Sequence, residues 1–136
     1  FDEVRVLDLT RMTMGIVGLG GIGLGVARRA RPHGLRIIAV DPRQADCPPE
    51  VDALWGSDRL DDLLGESDFV VVCAPETPET RGLFDAEKFA RMKAGAYFIN
   101  IGRRGSPTVG DVERHLDPAH RGCRRAPGGS AVRSAA

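Results

Sequence analysis

With 136 residues, the chain has room for one domain around a hydrophobic core, and two would be cramped. Hydrophobic residues at 42% and charged residues at 28% are ordinary for a globular protein, and nineteen basic residues balance nineteen acidic ones. That balance removes any bulk-charge argument for a nucleic-acid or membrane-surface partner, so neither is expected.

Further classes fall away at once. No apolar run approaches the roughly 20 residues of a membrane-spanning helix. Phe1-Asp2-Glu3-Val4-Arg5 has neither the basic nor the apolar region of a signal peptide. Cys47, Cys73 and Cys123 form no CxxC pair and no disulfide framework, which fits a reducing compartment and suggests no metal. A soluble, cytoplasmic protein is expected.

Residues 1–12 alternate charged and aliphatic side chains and define no element. Met14-Gly15-Ile16-Val17 reads as a short buried strand running into a glycine turn. From Gly21 to about His33 the spacing is helical, with Ile22, Val26 and Ala30 on one face and Arg28, Arg29 and Arg31 on the other. Gly34 stands where a C-cap glycine belongs. Leu35–Val40 is β-branched and apolar, as a parallel strand buried on both faces should be.

The rhythm continues. A Pro48-Pro49 turn leads to a short segment near Ala53-Leu54-Trp55, and Leu60, Leu63 and Leu64 mark a short amphipathic helix. Phe69–Cys73 is a further buried strand stopped by Pro75. Asp85 can cap a helix to about Met92, with Glu87 in its first turn. Tyr97–Ile101 is a strand ended by Gly102. Strands alternating with helices predict an α/β fold with a doubly wound parallel sheet over residues 1–116. Residues 117–136 hold one acidic residue, four arginines and many small residues, and are expected to be disordered.

Gly18-Leu19-Gly20-Gly21-Ile22-Gly23 carries the G-x-G-x-x-G spacing. The string alone is weak. Here it follows a strand, opens a helix, and is answered by Asp41 at the tip of the next strand, the context in which a Rossmann turn binds a dinucleotide. Gly18 permits the tight turn, Gly20 lets the backbone approach a pyrophosphate at the helix N-terminus, and Gly23 lets helix and strand pack closely. Asp41 can accept hydrogen bonds from the adenosine ribose, and its charge opposes a 2′-phosphate, so NAD is expected over NADP. Arg43 is ambiguous: it could pair with a 2′-phosphate or remain a solvated loop residue.

Two later segments narrow the choice. Cys73-Ala74-Pro75-Glu76-Thr77-Pro78-Glu79-Thr80-Arg81-Gly82-Leu83-Phe84 resembles the loop after the fourth strand in D-isomer-specific 2-hydroxyacid dehydrogenases. Met92-Lys93-Ala94-Gly95-Ala96-Tyr97-Phe98-Ile99-Asn100-Ile101-Gly102-Arg103 resembles that family's next strand and the loop with its catalytic arginine. The likeness runs from about Leu9 to Val109.

It implies that the backbone of Gly21 and Ile22 holds the pyrophosphate and that Ala74-Pro75 packs against the cofactor. It places Thr80 near the cofactor's phosphates and ribose, and Ile101 and Gly102 near the nicotinamide. Arg103 would bind the carboxylate of a small 2-hydroxy or 2-oxo acid, for which a guanidinium fork is suited. Arg104 adds a residue before Gly105 and could shift that register. The family is usually homodimeric through this domain.

The resemblance also implies groups with no match here. The family's acid/base histidine and its partner glutamate follow a further strand, and most of a substrate domain precedes the glycine turn. His33 ends the first helix, and His115 and His120 follow Arg103 too soon. The chain is therefore expected to be inactive alone. A non-catalytic dinucleotide-binding or sensing module is the rival reading. The tail is expected to be a frameshift product, since codons for His120–Arg124 read one nucleotide later can encode Ile-Ala-Gly-Ala, similar to the start of the family's next strand. A truncation and a native short terminus are the alternatives.

Overall fold

The computed structural model describes residues 8–43, 46–101 and, as backbone, 130–133. The first apolar run becomes β1 (Thr13–Val17), with Ile16 fully buried. Gly18 carries φ +91°, a conformation open to glycine at little cost, and turns the chain into α1 (Gly21–Ala30). A 3-10 turn at Arg31–His33 follows, ended by Gly34 in the left-handed region with φ 78°. The chain then returns as β2 (Arg36–Val40).

The small segment after the prolines forms β3 (Ala53–Trp55), and the leucine-rich stretch forms α2 (Leu60–Glu66). Next come β4 (Phe69–Val72), α3 (Ala86–Arg91) and β5 (Tyr97–Asn100). Asp85 caps α3 as expected, its side chain accepting a hydrogen bond from the Lys88 N–H.

Five parallel strands stand in the order β3-β2-β1-β4-β5. Their hydrophobic side chains alternate between two faces, and each face has its own core. Ile16, Leu19, Ile37 and Ala39 pack with Ala27 and Ala30 of α1. Val17, Ile38, Val40, Val70 and Val72 pack with Leu60, Leu63, Leu64, Phe89 and Phe98 on the other side. Helices on both faces make the sheet doubly wound, as predicted. Each fully buried Ile, Leu or Val contributes roughly 1.5–3 kcal/mol.

One expectation is corrected. The buried face of α1 is Gly23, Ala27 and Ala30, and Ile22 is 64% exposed. Small residues win that face because the helix lies close to the sheet: a Cβ on Gly23 would stand 2.1 Å from the Gly18 carbonyl oxygen. Ser130–Arg133 forms a strand, β6, pairing antiparallel with β5. The outer edge of β5 offers a row of backbone donors and acceptors, and Ser-Ala-Val-Arg has no glycine or proline to prevent pairing. The rest of 117–136 lies outside the described residues.

No helix among the described residues is long and apolar enough to cross a membrane.

Candidate functional site

The strand order reverses between β1 and β4, so the loops leaving their carboxyl ends run in opposite directions and open a crevice. A cavity of about 320 Å³ lies there, the size of a small-molecule site. Val17, Val40, Leu60, Pro75 and Leu83 contribute its apolar walls, and Asp41, Arg43, Ser57, Thr77, Glu79 and Thr80 its polar ones. Gly18 and Ala74 close the floor between β1 and β4: a Cβ on Gly18 would fall 2.7 Å from the backbone of Ala74.

Beside this cavity stands the N-terminus of α1. Gly20 is its N-cap, with no side-chain cap, so the first-turn N–H groups have no intrahelical partner and carry the positive end of the helix dipole. A Cβ at Gly20 or Gly21 would meet nothing within 4 Å. Open space over free backbone donors fits a pyrophosphate, which would occupy the volume those Cβ atoms would take. Ile22 is exposed beside it, an apolar side chain at the mouth of a polar cradle.

Asp41 is not the open acceptor its position suggests. Its residue is 3% exposed. Oδ2 accepts a hydrogen bond from the Leu19 N–H at 2.8 Å, and Oδ1 accepts one from the Arg43 N–H at 2.8 Å. The carboxylate thus ties the glycine turn to the loop after β2. Each oxygen keeps a lone pair for a further donor. The Arg43 guanidinium lies 3.9 Å from Oδ1 at Nε, with its side chain 70% exposed.

Thr80 also serves the fold. Its hydroxyl donates to the Pro75 carbonyl at 2.8 Å and accepts from the Thr77 N–H at 2.8 Å, closing the Pro75–Thr80 loop on itself. Thr80 lines the cavity, but its hydroxyl is already engaged. Next to the loop, burial pushes the Cys73 thiol up to about 11, so it is no nucleophile near neutral pH.

Of the residues singled out from sequence, the structure brings Gly18, Asp41, Ala74, Pro75 and Thr80 to one cavity, with Gly20, Gly21, Ile22 and Gly23 at the adjoining helix start. Ile101, 41% exposed, sits at the carboxyl edge, its N–H donating to the Val72 carbonyl. Gly102, Arg103 and Arg104 lie outside the described residues, as do His115 and His120. His33 ends the 3-10 turn after α1, at the opposite end of that helix from the glycine turn, and does not line the cavity. Sequence reasoning missed Ser57, Leu60, Thr77, Glu79 and Leu83. The rule that ligands sit beyond the carboxyl ends of parallel strands could have pointed to the first two, which follow β3.

A crevice at the switch point beside a glycine-opened helix defines a dinucleotide-binding α/β domain. The comparisons specify it further. The family model described as "D-isomer specific 2-hydroxyacid dehydrogenase, NAD binding domain" matches residues 2–116. The chain belongs to this family of NAD(P)-binding domains.

It is 44% identical over 97 residues to a glyoxylate reductase of Thermococcus kodakarensis, matching 71% of this chain and 28% of that protein. It is 44% identical over 95 residues to a D-3-phosphoglycerate dehydrogenase of Mycobacterium leprae, covering 68% of this chain and 17% of the relative. Among solved structures, an NADPH-dependent glyoxylate/hydroxypyruvate reductase from Sinorhizobium meliloti, in complex with NADP and sulfate, superposes with a TM-score of 0.76 at 31% identity. That match covers 88% of this chain and 39% of the other. The chain thus spans less than a third of the length of these curated relatives.

Proposed function

We propose that this chain supplies the dinucleotide-binding half of an oxidoreductase that interconverts a small 2-hydroxy acid and its 2-oxo acid. The observation that carries the reading is the pairing of open space over Gly20 and Gly21 with the cavity walled by Val40, Leu60 and Leu83. The first suits a pyrophosphate, and the second a flat apolar base. When bound, the nicotinamide supplies hydride exchange. The chain's own residues bind and orient: the first-turn N–H groups of α1 face the phosphates, and the Thr80-braced Ala74-Pro75 segment forms a wall. Ile101 excludes water at the carboxyl edge. Arg103 is proposed to hold the substrate carboxylate through paired N–H donors.

Titrating the purified chain with NADH, followed by nicotinamide fluorescence, tests this reading. Saturable binding displaced by ADP-ribose is expected. Absence of binding up to about millimolar NADH would remove the reading.

A further inference from the structure

We infer that the outer edge of β5 is a strand-accepting surface whose partner is β5 of a second copy of this chain, and that β6 is the internal cap that keeps the two apart. Without β6 the sheet would have two edges, and they differ. β3 is three residues long, Ala53–Trp55, preceded by Pro48-Pro49 and ended by Gly56, which makes it a poor template for another strand. β5 lies within Ala96-Tyr97-Phe98-Ile99-Asn100-Ile101, a stretch with no charge, no proline and no glycine, rich in aromatic and β-branched side chains. Such a segment at a sheet edge pairs readily with another strand.

The backbone hydrogen bonds fix which groups face outward. The N–H groups of Tyr97 and Ile101 donate to the Asp68 and Val72 carbonyls, on the β4 side. Successive residues of a strand direct their backbone groups to opposite sides, so those of Phe98 and Asn100 point away from β4. β6 covers them: Val132 stands opposite Phe98, and Ser130 opposite Asn100. Opposed residues whose groups face each other exchange both bonds of an antiparallel ladder. Val132 and Ser130 therefore turn their N–H groups to β5, and Ala131 and Arg133 turn theirs outward. The cap is slight: β6 is four residues long and is joined to β5 only across residues 101–129, so it belongs to the parts of a fold that open most often. A strand this short, ending on Arg133, is itself a poor template. A second copy fits the uncovered edge because β5 already takes an antiparallel neighbour, and a two-fold axis sets two identical edges antiparallel.

Sedimentation velocity of the full chain over a range of concentrations, for wild type, Val132→Pro and Ala131→Pro, tests the inference. Val132→Pro removes a donor to β5, whereas Ala131→Pro removes one that faces away and controls for the ring itself. Val132→Pro should gain a pairwise association step at a concentration at least about tenfold below any in wild type, and Ala131→Pro should stay within about twofold of wild type. Amide hydrogen exchange adds a readout that needs no variant. In wild type the Phe98 and Asn100 amides should exchange at least about tenfold faster than those of Tyr97 and Ile99, because opening of β6 releases only the first pair. In Val132→Pro that pair should be slow in concentrated solution, where the second copy covers it, and fast on dilution. Equal behaviour of the two proline variants, growth of Val132→Pro beyond pairwise association, or Phe98 and Asn100 amides no faster than Tyr97 and Ile99 in wild type would overturn the inference. So would a Val132→Pro chain that gains no association step while its Phe98 and Asn100 amides exchange fast at every concentration, since the edge would then open without taking a second copy.

Discussion

A Cβ built on Gly23 would stand 2.1 Å from the carbonyl oxygen of Gly18, so the third glycine of the turn sets how closely α1 sits on the first. Gly20, two residues from Gly18, faces open space instead. The two glycines therefore serve different ends. Gly23→Ala should destabilise the fold by about 1–3 kcal/mol, because backbone has to move. Gly20→Ala should change stability by less than about 0.5 kcal/mol, since its φ of −79° suits any residue. It should still weaken NADH binding by about tenfold or more, through the methyl placed in the phosphate volume. Urea unfolding and NADH titration of both variants separate the effects. Equal stability losses would show that Gly20 is structural too.

Thr80 gives a second separation. Thr80→Val removes a donor and an acceptor used by Pro75 and Thr77, at a cost of about 1–2 kcal/mol, while Thr80→Ser keeps both hydrogen bonds. The valine variant should lose NADH affinity and the serine variant should retain most of it. If serine loses as much as valine, the methyl contact rather than the hydroxyl shapes the wall.

Asp52 gives the chain a signature at acid pH. The Ile37 N–H and the Arg31 guanidinium donate to its carboxyl and hold it below the usual carboxylate range. A depressed folded pKa means that the contribution is present above the unfolded value, near about 4, and is lost as pH falls through the lower folded one. The Tm of Asp52→Asn should lie below wild type at pH 7, and the gap should shrink between about pH 5 and pH 3. A constant gap would assign the whole effect to packing.

Arg103 is tested through the binding of a substrate analogue. In the NADH complex, oxamate, an isostere of a 2-oxo acid, should change nicotinamide fluorescence in wild type and in Arg104→Lys, but much less in Arg103→Lys. The reverse order would move the carboxylate-binding role to Arg104 and mean that the extra residue has shifted the register.

The elements that sequence revealed well are those dictated by local chemistry. Strands β1, β2, β4 and β5 were recognisable from apolar runs and differ from expectation by a residue at their ends, and Gly34 and Asp85 announced their caps directly. Tertiary approach was harder to read. Nothing near Ile22 says that it faces solvent; that follows from Gly18 and Gly23 drawing the helix onto the sheet at a particular rotation. Asp41 looks like an open ribose ligand until Leu19, 22 residues earlier in the chain, is seen to donate to it. The hydroxyl of Thr80 could not be known to be engaged before Pro75 and Thr77 folded against it. Four residues of β6 within a stretch of small and charged residues gave no periodic signal at all.

The strand order also carries a timetable for synthesis. β1 finds β2 soon after emerging, but its other neighbour, β4, begins only at Phe69, and the wall from Ala74 to Leu83 comes later still. At roughly 5–20 residues per second, one edge of the central strand stays uncovered for a few seconds on the ribosome. During that interval its backbone is a template for any strand that arrives first. The segment that covers this edge is followed directly by the one that completes the pocket, so the pocket cannot form before the central strand has both its neighbours.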